Sequence, residues 1–490
     1  MKKMSKIIAL LLCVCMLGAL LCACGEEVVT NETAVQDDLS NHVNLKWYIR
    51  TTAPQGLAEV MEEANKYLAE KLNVTLDLQC IEGGDYEQKM QLAFASGEDF
   101  DLVWTSNWNF DYEGNVSKGA FLALDDYLEL PELADLKNYY SEGIWGAATV
   151  GGKIYGMPME QALFNQKGVT FEKDILEKYN IEDIYSVDSF EDLEAVYDVV
   201  LEGEKDNPNF YITSSLQKDF FIPEVTQITG GYTTGATFII DGKVTDRAEE
   251  YDAYRRRMRE WNLKGYFPEG VATADLSTKT AFSSYGRYLP GSEEKSKVMK
   301  GKDIAHVPTA EAFLGRNGVQ STLTAVNANS KNPIRALKLL HLMHTDPYML
   351  NLICYGIEGR DWTRDAENPN RMIRNDDGNS YYIAEFMIGS QFLAYLAPSY
   401  TDGVWEETKA ANESAYVDPN IEFSFDPANV ESEIAQVSSV ADEYNKIFEY
   451  GLLDPETAIP EYHEKLKLAG FGAVMDEIQA QYDEWKATQE

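Results

Sequence analysis

The stretch from Leu45 to Trp104 constrains this 490-residue chain most, because two element types alternate along it. Leu45-Lys46-Trp47-Tyr48-Ile49 is strand-like. After a turn at Pro54 and Gly56, Val60, Met61, Ala64, Tyr67 and Leu68 recur at the three-and-four spacing of a helix with one buried face. Val74 to Leu78 alternates as a strand, Tyr86 to Ala95 is helical, and Phe100 to Trp104 is a third strand. Strand, helix, strand, helix, strand predicts a largely parallel sheet with helices on its faces. Such sheets take ligands in the crevice beyond the carboxyl ends of their strands. Further helices are predicted at Lys173 to Asn180, Ser189 to Leu201, Ala248 to Lys264, Pro333 to Met343, Asp346 to Tyr355 and through most of Pro427 to Trp485. Short β pieces are predicted at Lys153 to Tyr155, Ala236 to Ile240, Ile304 to Val307 and around the Asp376-Asp377-Gly378 turn. The fold class is α/β, and a chain this long exceeds what one core usually supports, so two domains are expected.

The N-terminus sets the compartment. Lys2, Lys3 and Lys6 precede an apolar run of about 16 residues, Ile7 through Cys22. That is the pattern of an export signal, and it is short for a membrane span. Leu21-Cys22-Ala23-Cys24-Gly25 resembles the lipobox of bacterial lipoproteins. The resemblance implies a signal over 1–23 and lipidation of Cys24, hence a Gram-positive-type lipoprotein held by its lipid on the outer face of the cell membrane. The alternative is an ordinary secretory signal that happens to contain cysteines. Residues 24–41 are polar and predict a flexible tether.

Charge and cysteine content exclude several classes. The net charge of −39 becomes −42 once the three signal lysines leave, which repels nucleic acid and anionic headgroups. The plain explanation of such a surface is solubility. Cys80 and Cys354 are too few for a stapled scaffold, and we expect free, buried thiols. The five histidines form no metal set; His341 and His344 stand one turn apart without further ligands. No metal and no cofactor is expected.

Four stretches taken together resemble the family 1 extracellular solute-binding proteins. They are Ser96 to Val103, Phe121 to Leu128, Gly152-Lys153-Ile154-Tyr155-Gly156-Met157-Pro158, and Asn332-Pro333 with Tyr355 to Gly359. The region from Phe425 is similar to a domain that ends many lipid-anchored members from Gram-positive gut bacteria. The resemblance implies a two-lobed periplasmic-binding-protein-like fold of type II, each lobe a mostly parallel sheet flanked by helices, with hinge strands between. Carried onto this chain, lobe one is 42–157 and 318–366. Lobe two is 158–317 and 367–490, including a helical region 425–490. It further implies a monomer that captures a small solute by hinge closure and delivers it to the permease subunits of an ABC importer, with the membrane reached through the lipid anchor only.

A sugar presents apolar faces that stack on aromatic rings and hydroxyls that need many hydrogen bonds. With 29 Tyr and 8 Trp the chain supplies platforms, and an oligosaccharide is the expected solute. Trp104, Ser106, Asn107 and Trp108 sit just past the third strand, and Arg50 and Thr51 just past the first. Glu160 and Gln161 follow the hinge-like Met157-Pro158 step. Tyr232 lies in a glycine-rich loop, Arg287 and Tyr288 are expected to contribute from lobe two, and Arg360, Asp361 and Trp362 follow Tyr355 to Gly359. Sheet-capping core or a solvated loop is the alternative for each. Two other function classes fit the same residues. A lipid-anchored carbohydrate-active enzyme needs only two suitably separated carboxylates, though no Gly-x-Ser-x-Gly elbow, Gly-Lys-Ser/Thr loop or His-Glu-x-x-His motif is present. A ligand receptor for a sensor system is the other.

Overall fold

The computed structural model describes residues 37–214, 226–227, 234, 236–375 and 381–489. The chain divides into two units, Met1–Leu39 and Ser40–Glu490, and the fold described here is that of the second. The predicted signal, Cys24 and most of the tether lie outside the described residues, as do Tyr232 and the turn at 376–378.

In chain order the elements that place the site are β1 (Val43–Arg50), helix α1 (Leu57–Leu72), β2 (Val74–Ile81), helix α2 (Tyr86–Ser96), β3 (Leu102–Thr105), β4 (Gly156–Pro158), β5 (Lys167–Glu172), β6 (Ser283–Arg287), β7 (Ile304–Pro308) and β8 (Leu323–Val326). The first lobe is built on a five-stranded sheet of order β2-β1-β3-β8-β4. Its first three strands are parallel, as the alternation of strand and helix predicts. Leu45, Trp47 and Ile49 point to one face, where they join the core formed with Val60, Ala64 and Leu68 of α1. Tyr48 points to the other, packing with Tyr86, Met90 and Trp104.

The second lobe carries a three-stranded sheet of order β6-β5-β7, and both pairings are antiparallel. This corrects the expectation of a mostly parallel sheet in each lobe. The reason is the direction of travel. β5 runs away from the crossing segment 159–166, whereas β6 and β7 run back toward it, with Lys167 opposite Arg287 and Gly168 opposite Pro308. β8 is antiparallel in the first lobe for the same reason, because it leaves the crossing point where β3 and β4 arrive. The second lobe has its own core, including Phe171, Leu193, Tyr197, Trp261 and Phe282.

Residues past 366 do not all belong to the second lobe. Met372, Tyr381, Ile383, Ile388, Leu396, Val404 and Trp405 pack into the first-lobe core. That returning stretch is irregular, and its apolar residues carry no period that assigns them to either core. The C-terminal helices Glu431–Glu449, Pro455–Leu468 and Phe471–Ala487 pack against second-lobe elements instead. Ile239 shares a core with Val474, Ile478 and Tyr482, and the Arg255 guanidinium lies over Phe448 and Tyr462 at 4.8 and 4.7 Å. Cys80 and Cys354 are free; Cys354 is buried as expected and Cys80 is half-buried, its thiol pushed up to about 12 by burial. Among the described residues no helix is long and apolar enough to cross a membrane, and no cluster of His, Cys, Asp and Glu could hold a metal ion.

Candidate functional site

Arg50, Ile81, Thr105 and Pro158 end their strands on one edge of the first-lobe sheet, and Leu323 begins β8 there, opposite both Thr105 and Pro158. The chain crosses between lobes at this edge. Asn165 pairs with Phe313, and the Met159 N–H donates to the Thr322 carbonyl at 3.1 Å. The carboxyl edge therefore abuts the crossing segments, in the position where a crevice between lobes opens.

Arg50, Trp104 and Trp108 meet on this edge. Trp104 is buried, with Tyr86 edge-on at 5.6 Å and Trp108 edge-on at 5.5 Å. Trp108 lies over it and is 58% exposed. The Arg50 guanidinium is 4.8 Å from the centroid of Trp108 and 6.0 Å from that of Trp104. Its Nε is buried without a hydrogen-bond partner, and among the described residues no carboxylate pairs with it. Gly83 leaves it room: a Cβ there would stand 2.5 Å from Nη2. A guanidinium lying near an indole face is held by the ring quadrupole while keeping N–H groups free to donate.

The loop after β3 is fixed to the crossing segment. Trp108 Nε1 donates to the Ser321 carbonyl at 2.9 Å, and Asn107 Nδ2 to the Asn317 carbonyl at 3.1 Å. Ser106 is buried, and its hydroxyl accepts the Asn109 N–H at 3.0 Å and donates to the Asn109 carbonyl at 2.9 Å. Ser106 thus shapes the turn that presents Trp108. Thr51 is half-buried behind Arg50, its N–H donating to the Ile49 carbonyl at 3.2 Å.

Glu160 and Gln161 stand past β4 on the same edge. Glu160 accepts the hydroxyls of Tyr139 and Ser390. Burial, and then the charge of Glu160, push the Tyr139 hydroxyl up, so it stays a donor. Gln161 Nε2 reaches Ser321 Oγ at 3.4 Å, beside the carbonyl that Trp108 uses. His344 is buried beneath Tyr139 and Tyr140, and burial lowers its pKa to about 4.

The other expected residues are placed differently. Arg287 Nη2 donates to the carbonyls of Ala162 and Phe164 in the crossing segment, so this guanidinium serves the chain's own backbone. Asn412 grips the same segment, donating to the Gln161 carbonyl at 2.7 Å and accepting the Leu163 N–H at 2.7 Å. Tyr288 packs on the buried His306 at 5.1 Å. Arg360 is paired with Asp361, whose carboxylate also accepts the Ile357 N–H at 2.7 Å. Trp362 is buried in the first-lobe core and donates to the Gly356 carbonyl at 3.0 Å. The Trp362 indole N–H and Arg287 Nη2 thus both donate to backbone carbonyls within the fold, while Arg287 Nε is buried without a hydrogen-bond partner.

One part of the edge had no counterpart in the sequence reading. Residues 381–391 run along it from the β2 side to the β4 side. Burial, and then the nearby thiols of Cys354 and Cys80, push the buried Tyr381 hydroxyl up, and the Ile383 N–H donates to the Cys354 carbonyl at 2.8 Å. Ala384 and Met387 pack on the core that holds Trp104 and Leu323, and the Gln391 N–H donates to the Glu160 carbonyl at 2.9 Å. This run places Tyr382 and Phe386, 38% and 37% exposed, at the same edge as Trp108. The stretch Tyr381 to Ile388 is mostly apolar and aromatic, with Glu385 its one charged residue, and carries no helix or strand period.

The fold and this edge define a two-lobed solute-binding protein. Residues 51–349 match the model of the bacterial extracellular solute-binding proteins, and the chain belongs to that family. Residues 419–487 match a domain of unknown function. A carbohydrate ABC transporter substrate-binding protein of Streptococcus pneumoniae serotype 4 is 31% identical over 486 residues, 96% of each chain. The crystal structure of the N-glycan transport solute-binding protein NgtS from S. pneumoniae is similar with a TM-score of 0.79 at 29% identity, covering 92% of this chain and all of that one. Its complex with Man5GlcNAc gives 0.68 at 28% identity, over 92% of this chain and 100% of that one.

Proposed function

We propose that the chain is a lipid-anchored extracellular binding protein that captures an oligosaccharide between its lobes and delivers it, unaltered, to an ABC importer. The observation that carries the reading is the Arg50–Trp108 pair: an exposed indole beside a guanidinium that has no carboxylate partner among the described residues, on the carboxyl edge of a chain with 81 acidic and 42 basic residues. The ring supplies a stacking face and the guanidinium supplies donors, the two things a pyranose needs. Asn107 and Gln161 add amide groups beside them. The relatives named above support carbohydrate as the solute and an ABC transporter as the partner. The lower TM-score against the saccharide complex agrees with lobes that rearrange on binding. The anchor rests on the Leu21 to Gly25 lipobox.

Capture without chemistry is supported by the carboxylates at the edge. Glu160 is engaged by two hydroxyls and Asp361 by Arg360 and a backbone N–H, so neither is poised as a free acid or base. A thermal-shift screen over mono- and oligosaccharides tests the reading, because a ligand that binds only the folded state raises the midpoint by mass action. A saccharide-specific rise with no new reducing ends is expected. A flat screen would refute sugar capture, and sustained release of reducing ends would refute binding alone.

A further inference from the structure

A second pair on the same edge repeats the construction of the first. The Arg374 guanidinium lies 4.7 Å from the centroid of Tyr382, as that of Arg50 lies 4.8 Å from Trp108. Among the described residues neither arginine has a carboxylate partner, although the chain is strongly acidic. Tyr382 does not aim its hydroxyl at solvent. That group donates to the buried carboxylate of Glu385 at 3.1 Å, and Tyr400 donates to the other oxygen at 2.9 Å. Tyr355 stacks behind at 6.2 Å with the rings 13° from parallel. The phenol is thus tied inward and the ring is what the surface presents. Phe386 stands in the same short helical turn, more than a third exposed, with no aromatic partner among the described residues.

Exposed rings on a rigid backing, beside a guanidinium without a carboxylate partner among the described residues, have the chemistry of a saccharide platform and not of a core. Their position fixes the relation to the first pair. Residues 381–383 are anchored near Cys354 and the end of β2, while Trp108 rises from the loop after β3. The strand order sets β1 between them. Two strand spacings are about 10 Å, more than one sugar ring spans.

We infer that Arg374, Tyr382 and Phe386 form a second saccharide subsite on the β2 side of the Arg50–Trp108 pair, so that the ligand is an extended oligosaccharide contacting both. The inference rests on the carbohydrate reading above and adds a length requirement to it. Phe386 and Tyr382 take the apolar face of a distal sugar, and Arg374 donates to its oxygens.

Calorimetric titration of the full chain with mannose, Man1GlcNAc and Man5GlcNAc, extended to the strongest hit of the saccharide screen and its shorter fragments, tests it. The variants are Phe386→Ala, the Tyr382→Ala/Phe386→Ala pair and Arg374→Gln, each checked for an unchanged thermal midpoint. Phe386→Ala alters an exposed ring and Arg374→Gln keeps a polar side chain at a half-buried position, so they remain informative if the double variant fails to fold. The expected result is a loss of about tenfold or more for the longest saccharide bound and less than about twofold for its shortest binding fragment. Equal losses for long and short ligands, or no loss in any variant, would overturn the second subsite. If Trp108→Ala weakens binding while these variants do not, the carbohydrate reading stands and this inference alone falls. If the unaltered protein binds no saccharide, both fall together.

Discussion

At the edge of the first lobe Arg50 ends beside an exposed tryptophan, with no carboxylate paired to it among the described residues, whereas at the facing edge of the second lobe Arg287 ends on the carbonyls of Ala162 and Phe164. Both arginines close a strand that runs toward the crossing point. One is left available, and the other is consumed in holding the crossing segment in shape. Tyr288 and His306 pack on each other beneath the helix Ser292–Lys300, with Ser292 Oγ at 2.7 Å from His306 Nδ1. The difference teaches that strand position alone does not make a ligand contact. What the guanidinium donates to matters as well: Arg287 Nη2 meets two backbone carbonyls, while no carboxylate pairs with Arg50 among the described residues.

Arg287→Ala breaks that contrast most severely. Two buried carbonyls lose a charged donor, and the expected cost is about 2 to 4 kcal/mol of stability in a urea titration. Loss of saccharide affinity at unchanged stability would instead make Arg287 a ligand contact.

Acid sharpens the comparison next. His306 in the second lobe and His344 in the first are both held near pKa 4, chiefly by burial. Unfolded histidine titrates near 6.5, so between about pH 6.5 and 4 the unfolded chain binds more protons and stability falls as pH drops. The limit is ~3 kcal/mol per histidine below pH 4. His306→Gln and His344→Gln should each flatten the stability profile over that window. An unchanged slope would show that these rings protonate freely in the folded state.

Trp108→Ala should leave stability nearly intact and weaken saccharide binding by about 1 to 3 kcal/mol, the range of a lost aromatic platform. It therefore has the opposite signature to Arg287→Ala, and a large stability loss would mean that Trp108 belongs to the core. Gly83→Ala has the smallest effect. Its Cβ pushes the Arg50 guanidinium off Trp108 while both residues keep their identity, with an expected affinity loss of about 0.5 to 1 kcal/mol and altered tryptophan emission in the free protein. Identical emission and affinity would show that the guanidinium position does not matter.

Much of the first lobe was legible in sequence because β1, α1, β2, α2 and β3 each carry a clean period, and the carboxyl-edge rule then led directly to Arg50 and Trp108. The second lobe was less legible. β5 and β6 were absent from the predicted elements: Lys167-Gly168-Val169-Thr170-Phe171 and Ser283-Ser284-Tyr285-Gly286 carry small polar residues on one face, and their pairing spans more than a hundred residues. Arg287 and Trp362 were read from position in sequence, which says nothing of partners such as the Ala162 and Gly356 carbonyls. Tyr382 and Phe386 were missed because the stretch that carries them has no period and was assigned past the boundary at 366. Only the packing of Ala384 and Met387 on the Trp104 core brings it to the edge.

The most direct test is a paired titration of the strongest saccharide hit against the unaltered chain and Trp108→Ala, read by calorimetry together with small-angle scattering. One bound saccharide per chain, a more compact particle when it is bound, and affinity reduced in the variant with its fold intact are the expected results. Equal affinity in both proteins, or a scattering profile that does not change on saturation, would contradict capture at the first-lobe edge by closing lobes.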